Sequence, residues 1–99
     1  MNGRILILIL MLLCSVSVHA AETTLEFGRF GRVALYQPVS QPSQVVLFVS
    51  GDGGWNLGVV DMARELSGLD ALVVGIDINR YIKSLGNSKD ACSYPAADF

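Results

Sequence analysis

One stretch of the sequence, VVLFVSGDGGWN at residues 45–56, constrains the fold more than any other part of the chain. An apolar run over residues 45–49 ends at Ser50, and a turn with three glycines and one aspartate follows at once. An uninterrupted apolar run of this length is typical of a strand that is covered on both faces, as in the centre of a parallel sheet. A glycine-rich turn that opens a helix is one way in which α/β proteins bring backbone N–H groups against a ligand.

The sequence after the turn completes a βαβ unit. Residues 57–66 fit a helix, with Gly68 as its expected end and one apolar stripe of Val59, Ala63 and Leu66. Residues 71–76 (ALVVGI) predict a second buried strand that ends at Asp77. Strand, turn, helix and strand in this order predict a parallel, right-handed unit.

A predicted hairpin precedes this unit. Residues 24–27 and 33–36 are two short strands, separated by Gly-Arg-Phe-Gly, which suits a hairpin turn or a bulge. The segment QPVSQPSQ at residues 37–44 contains two prolines and two serines and predicts a connector.

The part of the chain after Asp77 is less regular. Residues 78–85 fit a short helix or a loop, residues 86–95 are rich in turn formers, and residues 96–99 resemble the first turn of a helix. A parallel strand that is buried on both faces needs neighbours on both sides and helices on both faces. The predicted sheet is therefore incomplete, so residues 21–99 are either a truncated part of a larger α/β domain, which we favour, or depend on a partner.

Residues 1–20 have the layout of a cleavable signal peptide. Arg4 supplies a positive charge, residues 5–13 are an aliphatic run, and small residues lead to a cleavage site expected after Ala20. A membrane anchor is the alternative, but the apolar run is shorter than the roughly 20 residues that span a bilayer. A lipoprotein is disfavoured because Leu13 stands before Cys14 where a small residue would be expected. Export to the periplasm is the expectation.

Charge and residue counts exclude several classes of function. Without Arg4, the seven basic residues become six against nine acidic ones, a net charge of −3, so we expect no nucleic-acid partner. His19 is the only histidine and leaves with the signal peptide, so residues 21–99 cannot form a Ser-His-Asp triad. Cys92 is then the only cysteine, and neither a metal site nor a cofactor is expected. Cys92 is expected to be buried or paired outside this chain.

Three interpretations of the glycine turn remain open. In the first, Gly51, Asp52, Gly53 and Gly54 form an oxyanion loop of the kind that α/β-hydrolases place after an early strand, with Trp55 packed over the pocket. In the second, the turn approximates a dinucleotide fingerprint with Asp77 as the ribose-binding acid, but bulky Trp55 opposes close helix packing. In the third, the turn has no ligand.

Single residues around the turn also have two interpretations. Ser50 lacks the Gly-x-Ser-x-Gly context of a nucleophile, because Phe48 stands at the position of the first glycine. Asp77 is either a site residue at the carboxyl edge of the sheet or a capping residue, and Asp52 either binds substrate or forms an Asx turn. Ser50, Trp55 and Asp77 are therefore the candidate pocket residues.

The sequence is similar to the VirJ/AcvB family of bacterial virulence proteins. The likeness rests on the signal peptide, the Ser-Gly-Asp-Gly-Gly-Trp motif from Ser50, Val-Val-Gly-Ile-Asp up to Asp77, Arg80-Tyr81, and Cys-Ser-Tyr-Pro-Ala-Ala-Asp-Phe from Cys92. The resemblance implies a partial α/β-hydrolase-like fold and a periplasmic serine hydrolase. In that family, AcvB-like members are associated with hydrolysis of lysyl-phosphatidylglycerol, an aminoacylated phospholipid, and VirJ-like members with type IV secretion and virulence.

The resemblance carries over only in part. Family members continue to a serine nucleophile elbow and to a later acid and histidine, and residues 21–99 contain none of these. Only the oxyanion-loop role transfers, to residues 51–54. We therefore expect this chain to be an N-terminal fragment that is inactive by itself; the alternative is a non-catalytic periplasmic interaction module that binds a secretion-system protein.

Overall fold

A computed structural model describes residues 21–99; the predicted signal peptide lies outside the described residues. No helix in this part of the chain is long and apolar enough to cross a bilayer. The strands are β1 (Ala21–Phe27), β2 (Gly31–Gln37), β3 (Gln44–Val49) and β4 (Ala71–Ile76). The α-helices are α1 (Leu57–Ser67) and α2 (Ile78–Gly86), and 3-10 turns cover Gly28–Phe30 and Pro95–Ala97.

The strands form one mixed sheet in the order β1-β2-β4-β3. β1 and β2 are an antiparallel hairpin, and β3 and β4 run parallel with α1 as the connection between them. The predicted mixed α/β class, the hairpin and the parallel βαβ unit are thus confirmed. The link between the two units was not predicted: β2 pairs antiparallel with β4, so that Tyr36 lies opposite Val73.

Each face of the sheet carries one helix. α1 covers one face of the sheet, where its Ala63 belongs to a buried cluster with Tyr36 and Val73. Trp55 packs against this cluster. On the opposite face, α2 contributes Tyr81 to a cluster with Phe30 and other buried residues. Val33 and Ile76 complete that second cluster. The layers are therefore helix, sheet and helix, and both helices lie mainly over β2, β4 and the hairpin turn rather than over β3.

The prediction that residues 45–49 are covered on both faces is wrong for the part of the chain described. β3 is an edge strand, and Val45 and Leu47 are 63% and 52% exposed. Only Val46 and Phe48, on the other face, pack against the cluster beneath α1. The apolar run correctly predicted a strand, but it carries no information about how many neighbours that strand has.

The segments after β4 differ in detail from their predictions. Residues 78–85, left open between helix and loop, form α2, which begins at an Asp77 cap. The last residues form a 3-10 turn over Pro95–Ala97 rather than the start of an α-helix. Gly68 ends α1 without a left-handed conformation, and Asp70 instead has a φ of 59°.

An ion pair joins the hairpin to α1. Arg64 donates from Nε to Glu22 Oε1 at 2.6 Å and from Nη2 to Oε2 at 3.2 Å. The hydrogen bond from Arg64 lowers the pKa of Glu22 below its ordinary value of 4.5, and the same bond raises the pKa of Arg64. A lowered carboxylate pKa contributes stability above the unfolded value, and that contribution is lost as the pH falls. Because both side chains are largely exposed, solvent screens the pair and its contribution is small.

A clamp of three residues holds the last turn against α2. The Tyr81 hydroxyl donates to Asp98 Oδ2 at 2.6 Å, and Arg29 Nε lies 3.5 Å from Asp98 Oδ1. Phe99 packs edge-on against Phe30, with ring centroids 4.8 Å apart. The hydrogen bond to Asp98, followed by burial and the charge of Asp98, raises the pKa of the Tyr81 phenol above its ordinary value of 10.0.

Gly75 in β4 allows the indole of Trp55 to pack directly on the sheet. A Cβ atom at Gly75 would overlap the six-membered ring of Trp55. The indole also donates from Nε1 to the Tyr36 hydroxyl at 3.1 Å and packs edge-on against Phe48. Trp55 thus fills the space that a side chain at position 75 would need.

We predict that Gly75→Ala lowers the free energy of unfolding by about 1–3 kcal/mol, the usual cost of overpacking a core. Gly58→Ala is the matched control, since a Cβ there meets no atom within 4 Å and alanine favours the helix. Denaturant unfolding of both variants measures the two changes. Equal stability of the two variants would contradict the packing of Trp55 on Gly75.

The clamp predicts an altered tyrosine titration. Because the folded-state pKa of Tyr81 is raised, its bond to Asp98 contributes full stability below pH 10.0, and this contribution is lost as the pH rises through the folded value. The difference between the ultraviolet titrations of the wild type and Tyr81→Phe should show a midpoint above 10.0. Asp98→Asn removes the charge and should bring that midpoint down. A difference curve centred below 10.0 would rule out the clamp.

Candidate functional site

The loop from Ser50 to Asn56 lies at the carboxyl edge of the sheet. It follows β3 directly, and the end of the parallel strand β4 brings Asp77 to the same edge. Ligands of open α/β sheets gather at the carboxyl ends of the strands. The structure therefore brings the predicted loop, Ser50 and Asp77 together in one place.

Ser50 connects the end of β3 to the start of α2. Its side chain is buried, its backbone N–H donates to the Ile76 carbonyl at 2.9 Å, and its Oγ accepts from the Ile78 N–H at 3.0 Å. The hydroxyl thus satisfies one of the N–H groups that a helix start leaves without a partner. Ser50 holds the loop in place and does not point into an open pocket.

Asp77 is the N-cap of α2. Its Oδ1 accepts from the N–H groups of Asn79 and Arg80 at 2.9 and 3.3 Å, and its Oδ2 accepts from the Trp55 N–H at 3.3 Å. These contacts agree with the capping interpretation, because one carboxylate accepts hydrogen bonds from three backbone N–H groups on two segments. A carboxylate with these partners is poorly placed to take up a ribose, which weighs against the dinucleotide interpretation.

The carbonyl groups of the loop are also held in place. Asn79 Nδ2 donates to the Asp52 carbonyl at 2.7 Å, and Asn56 Nδ2 donates to the Gly53 carbonyl at 2.7 Å. The Gly54 N–H closes a turn onto the Gly51 carbonyl at 3.0 Å, and Gly54 needs to be glycine because its φ is 77°. These bonds fix the direction of the peptide groups in the loop.

Three backbone donors of the loop remain available. Within residues 21–99, the N–H groups of Gly51, Asp52 and Gly53 have no hydrogen-bond acceptor, and all three residues are exposed. A Cβ at Gly51 or Gly53 would meet no atom within 4 Å, so the fold described here does not require glycine at either position. Both positions face open space on the side where a Cβ atom would lie.

The junction between this loop and α1 is strained. Leu57, the first residue of the helix, has a φ of 36° and a side chain that is 83% exposed. A left-handed conformation costs a residue with a Cβ about 1–2 kcal/mol. Such residues cluster at functional sites, where the surrounding structure holds them in place.

Trp55 does not occupy its predicted place. The prediction put it over the pocket, whereas its indole packs on the sheet across Gly75, beneath the loop. The role of Asn79 was not predicted either. No spacing rule relates residue 79 to the Asp52 carbonyl, and only the parallel arrangement of β3 and β4 brings them together.

Within residues 21–99, the chemistry that the contacts of this loop indicate is hydrogen-bond donation. In the described range, no group of three histidine, cysteine or acidic residues is placed to hold a metal ion. Cys92 is exposed and has no disulfide partner in the described range, so the expectation that it is buried is wrong, whereas its pairing with a cysteine outside this chain stays a prediction. Donors without a nucleophile or a base can bind and polarise a ligand oxygen but cannot complete an acyl transfer.

The Asp77 cap predicts unequal effects of two substitutions. Asp77→Ala should lower the free energy of unfolding by about 1–2 kcal/mol, because it removes an N-cap. Asp77→Asn keeps an oxygen acceptor and should lower the free energy of unfolding much less. Denaturant unfolding measures both, and amide hydrogen exchange should show faster exchange at Trp55, Asn79 and Arg80 in Asp77→Ala. Unchanged exchange at Trp55 would show that the carboxylate does not join the two segments.

Comparisons with protein-family models, with curated proteins and with solved structures found no match to this chain. The features that bear on function are the geometry at the carboxyl edge and the sequence motif that forms it.

Proposed function

We propose that residues 21–99 form the first part of an exported α/β-hydrolase-type domain and that residues 51–54 form its oxyanion loop. The observation that carries this proposal is the set of free N–H groups at Gly51, Asp52 and Gly53. They lie on a loop whose carbonyls are held by asparagine side chains, so the donors are oriented before any ligand arrives. Preorganised donors of this kind stabilise the negative charge that develops on an ester carbonyl during acyl transfer.

The position of the loop supports the same proposal. In α/β-hydrolases, one donor of the oxyanion hole comes from the loop between the third strand and the first helix. Here the loop follows β3 and precedes α1. The parallel pairing of β3 with β4 puts this loop at the carboxyl edge of the sheet, where ligands of open α/β sheets bind.

The proposal assigns the remaining catalytic groups to a longer form of the protein. Residues 21–99 contain no histidine and no Gly-x-Ser-x-Gly elbow, so the nucleophile and the base have to come from elsewhere. The likeness to the VirJ/AcvB family makes an aminoacylated phospholipid, or another ester, the proposed substrate of that longer form. The signal-like segment at residues 1–20 makes the periplasm its proposed location, with a role in virulence.

A second candidate function is a non-catalytic periplasmic module that binds a secretion-system protein. The observation that favours it is the open edge of β3, where Val45 and Leu47 are exposed. In this case the loop has only a structural role, and loss of its free donors would leave function unchanged.

The test begins with the coding sequence downstream of residue 99. A continuing frame with a Gly-x-Ser-x-Gly motif identifies the longer form, which is then purified and treated with a fluorophosphonate probe and with aminoacyl ester substrates. Gly53→Pro removes one N–H donor and should lower kcat by about 10²–10³-fold. Gly53→Ala keeps the donor and is the matched control.

Three results would contradict the hydrolase proposal. They are a longer form that the probe does not label, a Gly53→Pro variant of that form that retains full kcat, and measurable ester turnover by residues 21–99 alone. Co-purification of an unlabelled protein with a stoichiometric secretion component would favour the second candidate.

A further inference from the structure

A cavity beside the hairpin contains two arginines in its wall. It has a volume of about 160 Å³ and lies between the β1–β2 hairpin, the end of β4 and the start of α2. The residues that line it include Thr24, Arg32, Trp55, Gly75, Asp77 and Arg80. No residue of β3 lines it, so the cavity does not depend on whether the outer edge of β3 has a neighbour.

Arg80 is an arginine without a carboxylate partner in the described part of the chain. Three of the four arginines in residues 21–99 form ion pairs there, and Arg80 forms none. Its backbone N–H is bound, but its guanidinium has no hydrogen-bond acceptor among these residues. A guanidinium carries five N–H donors and stays charged at every pH that a folded protein meets. Arg80 therefore brings a full set of charged donors to the wall of the cavity.

The start of β2 fixes the direction of the Arg80 side chain. A Cβ atom at Gly31 would lie 2.9 Å from Cδ and 3.4 Å from Cγ of Arg80, so the arginine stem lies directly on this glycine. At the other end of the stem, the Arg80 N–H is held by the Asp77 cap at 3.3 Å. A side chain that is already ordered loses less conformational entropy when it binds a ligand.

Arg32 reaches the same cavity from the hairpin. Its ion pair with Glu26 has a distance of 3.7 Å between Nε and Oε1, and the two side chains are 61% and 73% exposed. Solvent screens a pair of this kind, so it contributes little free energy. Arg32 can therefore exchange Glu26 for a ligand at small cost.

Asp77 is the acidic residue in the lining, and its carboxylate is already engaged. Its two oxygens accept hydrogen bonds from three backbone N–H groups at 2.9, 3.3 and 3.3 Å. These donors partly offset its charge. Because two arginines and one aspartate line the cavity, its wall has an excess of positive charge.

We propose that Arg32 and Arg80 bind a phosphate group in this cavity. An arginine fork binds phosphate through two parallel charge-assisted hydrogen bonds. Phosphate presents oxygens in several directions, so two arginines on different elements can bind it together, whereas the two oxygens of a carboxylate lie in one plane and match a single fork. Thr24 supplies a hydroxyl donor at the same wall. This site goes beyond the proposed hydrolase function and does not depend on it.

Titration of the full 99-residue chain with inorganic phosphate, at constant ionic strength, tests the site. Two-dimensional NMR follows the Nε–H signals of the arginines and the indole N–H of Trp55, the only tryptophan in the chain. Phosphate should shift the signals of Arg32, Arg80 and Trp55 in a saturable way, because all three line the cavity. The signals of Arg29 and Arg64 should stay in place, because their ion pairs lie elsewhere.

Two substitutions at Arg80 separate charge from geometry. Arg80→Gln removes the charge and should raise the phosphate Kd by about tenfold or more. Arg80→Lys keeps the charge but loses the fork, so its Kd should lie between those of the wild type and Arg80→Gln. Lys83→Gln is the matched control: it removes one positive charge from the same helix, outside the cavity, and should change the Kd much less.

Lipid vesicles distinguish two sources of the phosphate group. Co-sedimentation of the wild type with phosphatidylglycerol vesicles but not with zwitterionic phosphatidylcholine vesicles, lost in Arg80→Gln, would assign the site to a lipid headgroup. Saturable binding of inorganic phosphate without binding to either kind of vesicle would assign it to a soluble phosphate.

Three results would overturn the proposal. They are the absence of a saturable shift at Arg80, equal changes of Kd in Arg80→Gln and Lys83→Gln, and phosphate-induced shifts confined to the backbone N–H groups of residues 51–53. The third result would place the anion in the oxyanion loop instead. The two proposals fail separately, because the loop is tested by kcat and the arginine site by phosphate binding.

Discussion

The carboxylate of Asp77 is the contact on which the carboxyl edge of this structure depends. It accepts hydrogen bonds from the start of α2 and from Trp55 in the loop after β3. Ser50 makes a similar connection in the opposite direction, from the end of β3 to Ile78. The loop after β3 and the start of α2 are therefore joined by hydrogen bonds in both directions. These bonds can form because the parallel pairing of β3 and β4 brings the two segments to the same edge of the sheet.

This mutual support explains why the loop has fixed peptide directions while three of its donors stay free. Glycine allows a tight path, but flexible glycine peptides do not by themselves point N–H groups in one direction. Here the carbonyls of Asp52 and Gly53 are bound by the amides of Asn79 and Asn56. The side chains near the loop thus act as its scaffold, and the proposed chemistry belongs to its backbone.

The sequence predicted those features that depend on neighbouring residues. Residues 45–49 and 71–76 are both strands, Ala63 lies on the buried stripe of α1, and Asp77 ends β4. The wrong or missing predictions concern relations between distant segments. The pairing of β2 with β4, the edge position of β3 and the place of Trp55 on Gly75 all depend on strand order. Strand order is set by packing between elements and leaves no local pattern in a single sequence. The roles of residues 51–54 stay predictions, because a turn with free donors is necessary for an oxyanion loop but is not specific to one.

The pairing of β2 with β4 has a consequence for how the chain folds. The β1–β2 hairpin is built from contacts that are close in sequence, which form quickly, whereas its partner strand β4 is made only after β3 and α1. Synthesis runs from the N-terminus, so Val33 and Tyr36 of the hairpin are made before Ile76 and Val73 of β4, which share their buried clusters in the folded structure. Apolar surface exposed at this stage is what chaperones bind and what misfolding reactions use. A chain that carries the hairpin but not yet β4 therefore exposes apolar surface that the folded structure covers.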